Sequence, residues 1–181
     1  HTFFFDTDWQ KHFDAVYRKP GWVEKPLFYV HAPSVTDPSV APAGHESFYV
    51  LIPFAPGLED NAELAERYYN GVMDRMEELS GENLRKHQVF RQDIKISDFK
   101  QCCNAYKGAA FGLGQTLLQT AYFRPTNKSR KLDNLYYCGM YTTPGTGVTM
   151  STISGVMTAQ RILEERGMPA TVGTASLAGT S

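Results

Sequence analysis

The strongest constraint in this sequence is a long run without charged side chains. No Asp, Glu, Lys or Arg occurs between Asp133 and Arg161. A run of this length in a folded chain indicates burial, so we expect residues 134–163 at the centre of the protein. It is not a membrane span, because Pro144, several glycines and many Ser and Thr residues interrupt it.

The run divides into a strand, a turn and a helix. Residues 135–138 are apolar and rich in tyrosine, which predicts a buried strand ending at Gly139. Residues 148–165 are predicted to form a helix, with Gly167 after its last turn and Pro169 as a stop. One side of this helix carries only small residues, which would admit another backbone or a flat ligand: Gly147, Ser151, Ser154, Gly155 and Thr158. Larger apolar residues occupy the other sides, so we expect the helix to be largely enclosed.

The glycine-rich turn before this helix is a candidate binding site. Backbone N–H groups at a helix start have no intrahelical partner, and the helix dipole favours negative charge there. The arrangement would suit a phosphate or an electron-rich ring oxygen. An ordinary buried strand–turn–helix unit without a ligand explains the same pattern, and on local pattern alone it is the simpler interpretation.

Composition narrows the class of protein. The 181 residues suffice for one domain, with 42% hydrophobic and 20% charged residues. A net charge of −1 gives no electrostatic basis for binding nucleic acid. The three cysteines (Cys102, Cys103 and Cys138) have neither metal-ligand nor disulfide-framework spacing, which favours no metal and a reducing, cytoplasmic setting.

Periodicity and turn residues predict the remaining elements. Strands are predicted at residues 2–5, 27–31, 47–53 and 87–96, the second and third being neighbours in one sheet. Helices are predicted at residues 8–18, at 60–79 with a capping box from Asp60, and at 98–106 with Asp98 as cap. Residues 167–181 are small and polar, and we expect them to be disordered. The chain begins with HTFFF and no initiator Met, which suggests a piece of a longer protein.

Local motifs outside the turn are weak. The five histidines (His1, His12, His31, His45 and His87) have no metal-ligand spacing and are interpreted as structural or surface residues. Asp37 is predicted to form an Asx turn rather than to act in catalysis. Arg124 could face an acid or a phosphate, but a surface role or a local carbonyl contact is favoured.

Three segments in order resemble the bacterial-type carotenoid desaturases, the phytoene and dehydrosqualene desaturase family of flavoproteins. They are residues 28–44 (FYVHAPSVTDPSVAPAG), 104–125 (NAYKGAAFGLGQTLLQTAYFRP) and 134–148 (NLYYCGMYTTPGTGV). The resemblance implies an α/β, glutathione-reductase-like FAD flavoprotein, of which this chain would be the C-terminal, α+β part. Residues 1–125 would belong to the substrate-binding domain, 126–166 would be the last strand, turn and helix of the FAD-binding domain, and 167–181 a tail.

The resemblance also assigns residues to FAD. Gly139 and Met140 would lie by the pyrophosphate and ribityl chain, and Gly145, Gly147, Val148 and Thr149 beside the flavin ring. The family usually has His at the position of Thr143 and Pro-Gly at Thr149-Met150, and these departures weaken any choice of subfamily. The family's N-terminal GxGxxG motif is absent from this sequence, which supports the view that the chain is the last third of such an enzyme.

The implied activity is introduction of trans double bonds into a C30 or C40 polyene, with FAD as hydride acceptor. No residue of this chain is a convincing general base. The lipid-soluble substrate implies peripheral attachment to a membrane surface, although no basic amphipathic helix is evident. Two alternatives remain: another carotenoid reaction on the same scaffold (isomerisation, ketolation or saturation), or a non-catalytic fragment that binds no FAD alone.

Overall fold

The computed structural model describes residues 1–114 and 116–169. The chain divides into two units, the first spanning residues 1–109 and the second beginning at Ala110. Both helices and strands are present, so the structure belongs to the mixed class expected from the sequence. The predicted disorder of the tail falls mostly on residues 170–181, which lie outside the described residues.

The first unit is built on a three-stranded antiparallel sheet. Its strands β1 (Thr2–Phe4), β2 (Phe28–His31) and β3 (Tyr49–Leu51) lie in the order β1-β2-β3. Phe3 pairs with Tyr29, and Tyr29 pairs with Leu51. This confirms the prediction that the strands on either side of the proline-rich loop are neighbours.

Three helices accompany the sheet in this unit: α1 (Trp9–Tyr17), α2 (Ala62–Ser80) and α3 (Ile96–Cys103). Helix α2 supplies Val72 to a core with Phe4, Phe28 and Val30, against which Ile52 and Met76 pack. The period-2 pattern of β2 explains this packing, because Phe28 and Val30 point to the same side of the sheet. One sheet face and one helix stripe therefore form the apolar core of the first unit.

His12 on α1 links the backbone just before β2 to the backbone just after β3. Its side chain is buried, Nδ1 accepts a hydrogen bond from Leu27 N–H at 2.8 Å, and Nε2 donates to the Pro53 carbonyl at 2.7 Å. These two backbone partners define the neutral tautomer with the proton on Nε2. The structural role predicted for this histidine is confirmed.

The N-terminal boundaries of α2 and α3 differ from the predictions, because the predicted capping side chains are used in other ways. Asn61, not Asp60, caps α2 by accepting from Leu64 N–H at 2.7 Å. The Asp60 carboxylate instead accepts from Ser97 N–H at 2.8 Å. Helix α3 begins before Asp98, which lies inside its first turn and accepts from Lys95 N–H at 2.7 Å.

The strand predicted at residues 87–96 is wrong. A short 3₁₀ turn at Arg85–His87 is followed by irregular backbone, and the side chains of Val89 and Phe90 are 79% and 76% exposed. Arg91 holds this segment through Glu66 and Asp93 and stacks on the Tyr69 ring with 3.7 Å to its centroid. Alternating apolar residues do not form a strand here, because none of the strands in the described part of the chain pairs with this segment.

Helix α4 (Val148–Glu165) is the only α-helix among the described residues of the second unit. Its C-terminal end matches the prediction: Gly167 has φ +66°, and Met168 N–H donates to the Leu163 carbonyl at 2.9 Å. The strand predicted at residues 135–138 is wrong, because the backbone makes a single antiparallel bridge between Lys128 and Tyr136.

The burial expected for residues 134–163 is also wrong for this chain. Val148 is 88% exposed, and the side chains of Met150, Ile153, Val156 and Met157 are about 40% exposed. The side of α4 that is buried is the polar one, with Ser154 at 0% and Thr158 at 7% exposure. Hydrogen bonding to the preceding turn, rather than apolar packing, therefore orients this helix.

Candidate functional site

The candidate site is the turn at residues 139–147 together with the start of α4. Gly147 is the N-cap of the helix, with φ +116° and ψ 157°, a backbone conformation that is essentially restricted to glycine. Its carbonyl accepts the first intrahelical bond, from Ser151 N–H at 2.8 Å. An added Cβ at Gly147 or at Gly139 would meet nothing within 4 Å, so the turn surface is open at both positions.

Backbone hydrogen-bond donors are available at the start of α4. No side chain of the described residues caps α4. The N–H groups of Val148, Thr149 and Met150 occupy the first turn, where an α-helix provides no backbone acceptor. Together with the helix dipole, they make this end of α4 attractive to an anion or an electron-rich oxygen.

The other residues assigned to the site use their backbones inside the turn. Gly139 N–H donates to Ser154 Oγ at 3.1 Å, and the Gly139 carbonyl accepts from Thr142 N–H at 3.1 Å. The Met140 carbonyl accepts from the Arg124 guanidinium at 2.5 Å. Gly145 is buried, on the side of the turn that faces Arg124. The turn is therefore held by an internal hydrogen bond and by bonds to Arg124 and Ser154, and the free donors of the site are those at the helix start.

Asn127 is the centre of a buried polar network that joins α4 to this turn. Its Nδ2 has five acceptors within 3.4 Å, of which Ser154 Oγ at 2.9 Å and Thr158 Oγ1 at 3.0 Å are the nearest. An amide has only two hydrogens, so these two are its best partners. Thr143 donates to the Asn127 Oδ1 at 2.9 Å, and Thr158 reaches the Tyr137 carbonyl at 3.0 Å.

The network shows what packs against the side of α4 that carries small residues. Ser154 and Thr158 lie on that face; Ser154 accepts from Gly139 N–H in the turn, and Thr158 reaches the carbonyl of Tyr137 just before the turn. The alternative of another backbone, left open by the sequence, is therefore the one observed at these two positions. The role of Asn127 was not foreseen, because nothing in its local sequence marks it as buried.

Arg124 makes the local carbonyl contacts that the sequence favoured for it. The side chain is buried at 2% exposure, and it donates to the carbonyls of Thr142 at 3.2 Å and Gln119 at 3.0 Å as well as to Met140. A fourth contact reaches Thr146 Oγ1 at 3.2 Å. The surface role considered for this residue is excluded by its burial.

A second electrostatic centre lies at the other end of α4. The Glu165 carboxylate accepts from Lys128 Nζ at 2.6 Å, from the Tyr136 hydroxyl at 2.5 Å and from Arg161 Nε at 3.0 Å. These hydrogen bonds, that of Lys128 first, lower the pKa of Glu165 to about 2. The hydrogen bond that each makes to Glu165 raises the pKa of Lys128 and the pKa of Tyr136.

The lowered pKa of Glu165 predicts that the protein loses stability in acid. The pKa of Glu165 lies near its ordinary value of 4.5 when unfolded and at about 2 when folded, so its ionised form favours the folded state. We expect its contribution to be complete above about pH 4.5 and to be lost as the pH falls towards 2. Urea unfolding of the wild type and of Glu165→Gln should differ at pH 6 and converge near pH 2. A constant difference between the two across this range would contradict the assignment.

The comparisons with known proteins place the chain in a family. It is 44% identical over 165 residues to a carotenoid 3,4-desaturase of Haloarcula japonica, a match covering 91% of this chain and 33% of the relative. It is 37% identical over 171 residues to a neurosporene-forming phytoene desaturase of Rhodobacter capsulatus (90% and 32%) and 33% identical over 169 residues to a lycopene-forming phytoene desaturase of Pseudescherichia vulneris (91% and 34%). No family model matches the chain.

The chain belongs to the carotenoid desaturase family, whose members are oxidoreductases. It spans about a third of the length of the curated relatives it matches. The similarity extends over nearly the whole chain, so it includes both the sheet unit and the turn with α4.

Proposed function

We propose that this chain is the C-terminal part of an FAD-dependent carotenoid desaturase and that its glycine turn lies against the flavin. The observation that carries the proposal is the similarity to carotenoid and phytoene desaturases over 91% of the chain, which includes the turn. The proposed substrate is a hydrophobic C30 or C40 polyene. The proposed fold of the whole enzyme is the glutathione-reductase-like flavoprotein fold.

The residues of the turn fit FAD. A flat ring can approach Gly147 closely, because the space where a Cβ would stand is open. Val148 and Thr149 would offer backbone N–H groups to ring oxygens at the helix start. Gly139 and Met140 would lie along the pyrophosphate and ribityl part. The Gly139 N–H is already bound to Ser154, so this residue would contribute close approach rather than a donor.

The chemistry divides between cofactor and protein. FAD, when bound, supplies acceptance of a hydride from the substrate. The chain would orient the ring, hold donors where negative charge develops and help to exclude water. None of its described residues is assigned as a general base.

Substitution at Gly147 tests the flavin contact. In Gly147→Ala the new residue must adopt a conformation that costs about 1–3 kcal/mol and places a methyl group on the open surface of the turn. We expect FAD affinity to fall about tenfold or more in the full-length protein that carries this segment. The measurement is a titration of the apo-protein with FAD, followed by flavin fluorescence.

Gly155→Ala is the matched control. Gly155 lies inside α4, and a Cβ there meets nothing within 4 Å. Alanine in a helix interior should leave FAD affinity unchanged and raise stability slightly, by about 0.5–1 kcal/mol. If the purified wild-type protein showed no flavin absorption and no FAD binding, the proposal would be wrong. If Gly147→Ala bound FAD as well as Gly155→Ala, only the assignment of the turn would fail.

The proposed setting is a membrane surface at the cytoplasmic side, from which a polyene could enter. Within residues 1–114 and 116–169, no helix is long and apolar enough to cross a membrane. A flotation assay with lipid vesicles would test attachment, and recovery of all protein in the lipid-free fraction would contradict it.

A further inference from the structure

The buried Arg124 side chain has a feature that local folding does not require. Its guanidinium is satisfied by carbonyl oxygens and a hydroxyl, and none of the ion pairs among residues 1–114 and 116–169 includes it. Carrying a charge into the interior without an opposite charge is costly, even though each guanidinium nitrogen has a hydrogen-bond partner here. A neutral donor could support a turn at lower cost. A second role, beyond supporting the turn, would explain why a positively charged side chain stands at position 124.

The position of this charge suggests that role. Arg124 binds the carbonyls of Met140 and Thr142, and its Nε lies 3.7 Å from where a Cβ of Gly145 would be. These carbonyl oxygens point at the guanidinium and are thereby kept from facing a ligand on the other side of the turn. The open positions at Gly139 and Gly147 remain free of side chains.

We propose that Arg124 is a positioning residue that shapes the glycine turn from behind and, through a positive charge that has no ion-pair partner among residues 1–114 and 116–169, makes the site prefer the anionic, reduced form of its flavin. This inference rests on the proposed function, since it assigns a role towards the flavin. Two-electron reduction with uptake of one proton adds one negative charge to the ring system. A fixed cation near the site stabilises that charge more than it affects the neutral oxidised ring.

Two variants separate the charge from the hydrogen bonds. Arg124→Gln keeps part of the donor function and removes the charge. Arg124→Lys keeps the charge and loses the planar array of donors. Arg130, which is exposed in the same unit, provides the control Arg130→Gln. All are made in the full-length protein that carries this segment.

The decisive readout is the midpoint potential of the bound flavin, measured by reductive titration against a reference dye. In Arg124→Gln we expect the affinity for reduced relative to oxidised FAD to fall about tenfold, which lowers the two-electron potential by about 30 mV. Arg124→Lys should stay within about twofold of the wild-type ratio while binding both forms more weakly. Arg130→Gln should match the wild type in both respects. A purely structural role would weaken FAD binding without moving the potential.

Each outcome bears on one claim. A wild-type protein without flavin contradicts the proposed function itself. A flavin-loaded wild type whose potential equals that of Arg124→Gln overturns the Arg124 inference alone. If Arg124→Gln fails to fold, as thermal unfolding of the apo-protein would show, Arg124→Met takes its place, because it also removes the charge while keeping a long, flexible stem. A midpoint potential about 30 mV below that of the wild type would then support the inference, and a potential equal to that of the wild type would overturn it.

Discussion

Replacing Gly108 by alanine is expected to destabilise the first unit by about 3 kcal/mol or more. The residue lies in the 3₁₀ turn at Tyr106–Gly108 with φ +71°, where an L side chain costs about 1–2 kcal/mol. The new Cβ would stand 2.4 Å from the Ile96 carbonyl oxygen and 2.5 Å from its Cγ2. Relieving these overlaps requires α3 to move, and such overpacking typically costs a further 1–3 kcal/mol.

Gly44→Ala separates the two contributions. Gly44 has φ +76°, but nothing lies within 4 Å of an added Cβ. Its replacement should cost only the strained backbone conformation, about 1–2 kcal/mol, and both variants share the same change in the unfolded chain. Tryptophan fluorescence during urea unfolding reports on this unit, because Trp9 and Trp22 both belong to it. Equal unfolding free energies for the two variants would refute the overlap with Ile96.

Thr158→Val is expected to destabilise the second unit by about 2 kcal/mol. The two side chains have nearly the same shape, so the change removes only the hydroxyl. That hydroxyl is buried and accepts from Asn127 Nδ2 at 3.0 Å, and its one hydrogen is shared between the carbonyls of Ser154 at 2.8 Å and Tyr137 at 3.0 Å. Leaving buried polar partners unsatisfied costs about 1–3 kcal/mol. The loss should appear as faster hydrogen exchange in residues 148–165.

Thr152→Val controls for the substitution itself. Thr152 lies on the same helix, is exposed and, like Thr158, is bonded to the carbonyl four residues earlier, here Val148 at 3.0 Å. Its replacement should change stability by no more than about 0.5 kcal/mol. If both variants accelerated exchange equally, the polar network at Asn127 would not be what holds α4 against its turn.

Elements with strong local signals were predictable. Helix α4 was foreseen with its full length and its Gly167 terminus, since apolar spacing and the terminal glycine act within a few residues. Strand β2 and its pairing with β3 followed from alternating apolar residues and a connecting proline-rich loop. The Asx turn at Asp37 was foreseen for the same reason, and Asp37 accepts from Ser39 N–H at 2.9 Å.

The predictions were wrong where a residue distant in the sequence determines the local structure. The segment at residues 87–96 has strand composition, but its Arg91 is bound by Glu66 on α2, and none of the strands described by the structure pairs with it. Asp60 has the spacing of a helix cap, but it binds Ser97, and the adjacent Asn61 caps α2 instead. In each case the observed arrangement includes a contact with a residue that is distant in the sequence, which a local pattern does not reveal.

The sequence by itself determined the family, the glycine turn and the helix that follows it. Gly147 before a helix whose first thirteen residues carry no charge predicts an open helix start, because the free backbone N–H groups and the missing side chain suffice for it. Only the tertiary structure decided that α4 buries its polar side. Asn127 lies 27 residues before Ser154 and 31 before Thr158, and its hydrogen bonds to them become favourable only when folding removes all three from water.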